Sequence, residues 1–171
     1  MFRKATMQDL PAIAAIYDAI HTREKAGLTT TGWIAGIYPT RETARRAIEI
    51  GEMYVAQDPQ IVACGRINHM QDECYKEGAW RCPADPEQVL VLHTLVVDPQ
   101  KSGLGIGTAF LRFYEKNAAA LGCKALRLDT NARNTAARGF YKKHGYEEVG
   151  ITPCEFNGIK NVDLVLLEKV L

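Results

Sequence analysis

The sequence predicts an α/β fold: a mixed, mostly antiparallel sheet with helices packed on its faces. Three observations carry this. Segments with apolar residues at helical spacing alternate with short runs rich in Val, Ile and Leu. Some runs are joined by tight turns, which makes antiparallel hairpins, and others by helices, which makes strand–helix–strand units. One run, "QVLVLHTLVV" at 88–97, is apolar on both faces except for His93 and Thr94. That pattern suits a central strand covered on both sides.

Each element has its own reason. Residues 2–6 read as a short first strand. Thr6 followed by Asp9 forms a capping box, and Leu10, Ile13, Ile16, Tyr17 and Ile20 then recur at helical spacing to about residue 26. The stretch 27–40, "GLTTTGWIAGIYPT", is rich in Gly and Thr and reads as irregular. Thr40 caps a second helix over "RETARRAIEI". "EMYVAQD" and "IVACGRINHM" form a hairpin across Asp58–Pro59. Residues 71–87 read as an excursion loop, and 88–97 is the fourth strand. Ile106, Phe110, Phe113, Tyr114, Ala118 and Leu121 make a helical stripe that ends at Gly122. "ALRLDT" is a strand, 135–143 a helix, and "YEEVGI" and "VDLVLLEKV" are the last strands. The order is β-α-α-β-β-β-α-β-α-β-β, read as a single domain over 1–171.

The bulk numbers exclude several classes of function. Lys and Arg number 21 against 20 Asp and Glu. That balance leaves no global field to attract nucleic acid or a membrane surface. No run approaches the roughly 18 apolar residues of a membrane span. The N-terminal segment lacks an apolar run followed by a small-residue cleavage site, so it reads as structure. The five cysteines are odd in number and scattered, which points to a reducing, cytoplasmic location. Cys74 and Cys82 have no second close pair beside them, so no metal site is expected.

The chemistry concentrates in "SGLGIG", residues 102–107. Gly103, Gly105 and Gly107 alternate directly after the buried strand and at the start of a helix. A helix N-terminus presents unpaired N–H groups and the positive end of a dipole, and glycines let an anion approach them. A dinucleotide fingerprint needs Gly where Thr108 stands. An ATP-type loop needs Gly-Lys followed by Ser or Thr. Local chemistry therefore stops at a pyrophosphate-like ligand.

The run from His93 to Leu111 resembles the acetyl-CoA site of the GNAT family of N-acetyltransferases. That family's loop reads Arg or Gln, then Gly-x-Gly-x-Gly or Ala. Here Ser102 stands in the first position and Gly103, Leu104, Gly105, Ile106 and Gly107 follow. Leu95, Val97 and Pro99 match the preceding strand. "NTAARGFYKKHGY", 134–146, is similar to a second family segment through Asn134, Ala137, Tyr141 and Gly145.

The resemblance implies a seven-stranded sheet splayed between the fourth and fifth strands and flanked by about four helices. It implies acetyl-CoA as cosubstrate, no metal, and a small-molecule amine as acceptor. Backbone groups of Leu95, Val96 and Val97 would pair with pantetheine, and an N–H near Leu95 would serve as oxyanion donor. Ser102 to Thr108, with Asn134, Ala137 and Tyr141, complete the expected cofactor contacts. Tyr141 would be the general acid for the leaving thiolate. His93, read as sharing a face with Val91, Leu95 and Val97, is the first candidate base, and Glu73 with Asp72 the second. Trp33, Tyr38 and Phe156 are candidates for the acceptor pocket, with Glu73 as an acidic lure. Two alternatives stay open: a non-catalytic CoA-binding module, and an acetyltransferase acting on protein N-termini or lysines. The strand at 162–170 would complete this sheet or that of a homodimer.

Overall fold

A computed structural model describes residues 1–171. The chain folds as β1 (Phe2–Lys4), α1 (Leu10–Lys25), α2 (Arg41–Glu49), β2 (Met53–Asp58), β3 (Gln60–Asn68), β4 (Val89–Val97), α3 (Ile106–Ala120), β5 (Ala125–Asn131), α4 (Thr135–Lys143), β6 (Glu147–Phe156) and β7 (Ile159–Val170). The seven strands form one sheet in the order β1-β2-β3-β4-β5-β7-β6. Only β4 and β5 run parallel, because only they are joined across α3 on one face.

The predicted elements form for the predicted reasons. The backbone N–H of Thr6 donates to Asp9 Oδ2 at 2.8 Å, closing the box before α1. Thr40 Oγ1 accepts from the Thr43 N–H at 3.1 Å and starts α2. Leu10, Ile13, Ile16, Tyr17 and Ile20 are all buried, so the α1 stripe is a core face. In α3 the stripe holds for Phe110, Tyr114 and Ala118, but Leu121 is exposed. It falls on the C-cap, where the chain turns away from the sheet at Gly122. The last hairpin is longer than its sequence pattern suggests. It turns at Asn157–Gly158, both at positive φ, so most of "PCEFNGIKN" is strand.

Two faces of the sheet are covered differently. Phe110, Leu111 and Tyr114 of α3 pack on Leu90, Leu92, Leu126 and Leu128. On the opposite face α1 and α2 cover β2, β3 and Val96. The rest of that face, over Val89, Val91, Ala125 and Leu166, is covered by the segment 71–88, which buries Tyr75 there.

Buried charge holds this segment in place. Arg127 on β5 donates from Nε to Glu168 Oε1 at 3.1 Å, and it also donates to Gln71 Oε1 and the Cys82 carbonyl. Its guanidinium lies 4.0 Å over the Trp80 ring. The excursion loop is thus built into the core rather than laid over the surface.

Candidate active site

Pairing between β4 and β5 stops at Leu92↔Leu128. Beyond it the strands part. β5 stays paired with β7 through Asp129, Thr130 and Asn131. β4 stays paired with β3, but its register shifts between Cys64 and Arg66, so Thr94 and Leu95 face a single residue, Gly65. This is a β-bulge. Thr94 adopts φ +52°, an unusual angle for a β-branched residue. The Tyr38 hydroxyl pairs with Thr94 Oγ1 and braces it.

The bulge changes the facing of every residue after it. His93 lies on the face of Val91 and Val96, whereas Leu95 and Val97 pack on the α3 face. Simple alternation places His93 with Leu95 and Val97, and the extra residue overturns that expectation.

The split encloses a cavity of about 180 Å³. Leu95, Val96 and Val97 line it from β4, and Asp129, Thr130 and Asn131 from β5. Asn134, Ala137 and Tyr141 close it from α4, and Trp33, Tyr38 and Phe156 from the opposite side. Tyr38 stands edge-on to both Trp33, at 6.1 Å, and Phe156, at 5.6 Å. The Gly/Thr segment that forms this wall is ordered by Glu24. Its carboxylate accepts from the hydroxyls of Thr29 and Thr31 and the N–H groups of Thr31 and Gly32.

Tyr141 is buried, with 8% of its surface exposed, and its hydroxyl makes no hydrogen bond within the chain. Burial, with the Asp129 carboxyl nearby, holds that phenol well above its ordinary range. It stays protonated at any physiological pH. Asn134 Oδ1 accepts from the Ala137 N–H at 3.2 Å and caps α4. That bond leaves its amide NH₂ free at the cavity.

The glycine loop follows directly on β4. Gly103 and Gly105 adopt φ +80° and +76°, and a Cβ on either would meet nothing within 4 Å. The space a side chain would fill is open. None of the N–H groups from Gly103 to Thr108 donates to a protein acceptor. These amides form a ready-made concave donor array at the N-terminus of α3. Gly107 has a different reason: a Cβ there would come within 3.2 Å of Phe140. The Thr108 hydroxyl pairs with His144 Nε2 at 3.0 Å and ties α3 to the end of α4, so only its backbone is available. Ser102 and Leu104 are exposed.

The base candidates separate. Glu73 is exposed and paired with Lys76 on the surface, and it does not line the cavity. His93 is buried and its Nε2 lies 3.0 Å from Asn68 Oδ1. That oxygen also accepts from the Met70 N–H, and the Asn68 NH₂ donates to Glu52. The amide orientation is therefore fixed and Nε2 must carry the proton. Burial lowers the imidazole to about 4, so His93 is neutral at pH 7 and a weak base.

Sequence reasoning missed a carboxylate. Donor atoms of Asp72, His93 and Asp129 all lie within 4.8 Å of one another. Asp129 also accepts from the Tyr75 hydroxyl at 2.8 Å. Its enclosure pushes the carboxyl up to about 7. The available signal was its place on the face of Ala125 and Arg127, just past the last pair with β4.

Comparison with known proteins fits this geometry. Residues 17–146 match the model of the acetyltransferase (GNAT) family. A 69-residue stretch, 40% of this chain, is 33% identical to an uncharacterized N-acetyltransferase of Methanocaldococcus jannaschii and spans 30% of that relative's length. A GNAT-family acetyltransferase structure from Streptococcus agalactiae superposes with TM-score 0.82 at 21% identity, covering 100% of this chain and 95% of that one. A ribosomal-protein-alanine N-acetyltransferase structure from Brucella melitensis gives 0.72 at 22% identity, covering 100% and 99%. At these identities the two structures bear on the fold alone.

Proposed function

Because the chain belongs to the acetyltransferase (GNAT) family, we propose that it transfers an acetyl group from acetyl-CoA to a primary amine of a small molecule. One observation carries the reading. The cavity at the β4–β5 split has the unpartnered Tyr141 hydroxyl on one wall and a closed aromatic wall of Trp33, Tyr38 and Phe156 on the other.

The residues present fit the cosubstrate. The amides from Gly103 to Thr108 would hold its pyrophosphate, since they are free and the space before Gly103 and Gly105 is open. The β4 edge at Leu95, Val96 and Val97 has lost its partner strand and would pair with an extended amide-bearing chain. Acetyl-CoA supplies an acyl group on a thiol leaving group. Tyr141 holds a proton at its Oη, within the cavity, for that leaving group. The Leu95 region of the bulge offers a backbone N–H as a fixed dipole.

The closed wall favours a small acceptor. The turn after Phe156 packs on the 33–38 segment, and a Cβ on Gly158 would touch Ile37 at 3.4 Å. A polypeptide would have to part these two segments to enter.

The test is thiol release from acetyl-CoA against a panel of small primary amines and of peptides with free N-termini. Turnover with small amines alone is expected. Turnover with peptides alone would move the acceptor to the protein class. Acetyl-CoA binding with no turnover on any member would leave a non-catalytic binding module.

A further inference from the structure

Glu24 stands in the last turn of α1, beside Arg23 and Lys25, where a negative charge opposes the helix dipole. No ion pair offsets it. The chain reverses after Ala26, with the Leu28 N–H on the Arg23 carbonyl at 2.9 Å, and returns over this carboxylate. Oε2 accepts from the Thr29 hydroxyl at 2.8 Å and from the Thr31 N–H and hydroxyl at 2.8 and 2.9 Å. Oε1 accepts from the Gly32 N–H at 2.9 Å. Burial works against the charge, but these bonds outweigh it and hold the carboxyl below its ordinary value.

Two contacts carry this anchor into the cavity. The Thr31 hydroxyl, while donating to Glu24, accepts from the Trp33 N–H at 3.2 Å. Gly32 lies against β5, where a Cβ would collide with the Asn131 amide. That amide is itself fixed, because its Oδ1 accepts from the Arg133 N–H at 2.9 Å. Thr31, Gly32 and Trp33 line the cavity, whereas Glu24 does not.

We propose that Glu24 sets the size of acceptor that the cavity admits. It is a positioning residue that touches no substrate and acts through Thr31, Gly32 and Trp33. The inference rests on the acetyltransferase reading and deepens it, by naming what limits the acceptor to a small amine.

A carboxylate suits this duty better than a neutral group. The N–H groups of Thr31 and Gly32 donate to no backbone acceptor, so a side chain must take them. An ionised carboxylate only accepts, and it takes all four donors at once. An amide in its place keeps one oxygen and turns an NH₂ toward the remaining donors. With that oxygen at the Oε2 position, Glu24→Gln releases the Gly32 N–H alone. The far end of the segment is held separately. There the Tyr38 N–H donates to the Ile34 carbonyl at 3.0 Å and the Tyr38 hydroxyl pairs with Thr94. Release at Glu24 therefore loosens the Trp33 side of the wall and leaves the bulge at Thr94 braced.

The experiment measures kcat and KM for the smallest and the bulkiest amine that wild type accepts, in wild type, Glu24→Gln and Thr31→Val. Acetyl-CoA affinity by calorimetry and Tm are read alongside. Glu24→Gln should raise KM for the smallest amine about 10- to 100-fold. Its kcat should change little, as when binding common to ground and transition states is lost. The ratio of kcat/KM for the bulkiest amine to that for the smallest should rise about 10-fold. Acetyl-CoA affinity should hold. Thr31→Val keeps the carboxylate and releases only the hydroxyl link to Trp33, so it should shift KM and the ratio the same way by less. This variant carries the test where Glu24→Gln fails to fold. Unchanged KM and an unchanged ratio in the folded variants would overturn the inference. So would parallel losses in kcat, amine binding and acetyl-CoA affinity with a lower Tm, which is what a purely structural residue gives. A wild type that binds acetyl-CoA but acetylates no amine would overturn the acetyltransferase reading itself, and this inference with it.

Discussion

Tyr141 and Tyr114 are both buried, yet the reasoning above predicts opposite consequences for removing their hydroxyls. Tyr114 Oη donates to the Leu90 carbonyl at 2.5 Å and approaches that of Arg127 at 3.2 Å. Tyr114→Phe leaves those buried carbonyls short of a donor, at a cost of about 1–3 kcal/mol. For a chain of this size each kcal/mol moves Tm by about 2–4 °C, so a fall of about 2–12 °C is expected. Tyr141 Oη bonds to nothing in the chain, so Tyr141→Phe breaks no hydrogen bond and should leave Tm within about 2 °C. The turnover prediction runs the other way. Losing a proton donor to the thiol should reduce kcat by about 10²- to 10⁴-fold. The assays are a thermal melt and thiol release on the same preparations. A Tyr141→Phe enzyme that melts several degrees lower but turns over normally would refute the assignment, because its hydroxyl would then be structural.

Three further outcomes follow from the structure. Gly105→Ala forces a side chain into φ +76° at about 1–2 kcal/mol of backbone strain, and it crowds the open face of the amide array. Acetyl-CoA affinity, read by calorimetry, should fall clearly more than Tm, and equal affinity would remove the loop from the cosubstrate site. Arg127→Ala breaks a buried pair with Glu168 and releases Gln71, the Cys82 carbonyl and Trp80. A loss of about 3–5 kcal/mol is expected, seen as early protease cleavage within 71–88. The hydrogen-bonded pair with Arg3 holds the Asp9 carboxyl down at about 2. Its contribution to stability is present above the unfolded value of about 3.9 and is lost as pH falls through about 2. Asp9→Asn should therefore melt below wild type at pH 7, and the gap should close across that acidic window.

How far the sequence could be read depended on what each feature is made of. Helix stripes and strand runs declare themselves through side chains, so α1, α2 and the succession of strands along the chain follow from periodicity and capping residues. A bulge declares itself through backbone register. Thr94 carries the unusual φ without being a glycine, and nothing in "LHTLVV" marks it. The alternation rule therefore runs one residue out of phase after it and puts Leu95 and Val97 on the face of His93, which they do not share. Asp129 was passed over for a related reason. At the end of a strand a lone aspartate reads as solvated, and only the excursion segment closing over it makes it enclosed. That segment looked polar and loop-like because its anchors, Tyr75, Trp80 and the Arg127–Glu168 pair, lie far apart in the chain.

The same distinction explains why the glycine run was so informative while Ser102 was not. The proposed cosubstrate contacts are main-chain groups: the loop amides and the β4 edge released by the split. Backbone donors can be left open only where a Cβ does not block them, so glycine at 103 and 105 is the one trace such a site leaves in a sequence. A side chain at 102 sits before the array, exposed, and the donors after it do not depend on it. The acceptor side is the reverse. Its wall is made of side chains, Trp33, Tyr38, Asp129, Tyr141 and Phe156, brought together from separate elements. Substitution there should change turnover without disturbing the loop. Affinity for acetyl-CoA and turnover should therefore vary independently, which paired calorimetry and turnover measurements on Gly105→Ala and Tyr141→Phe would read directly.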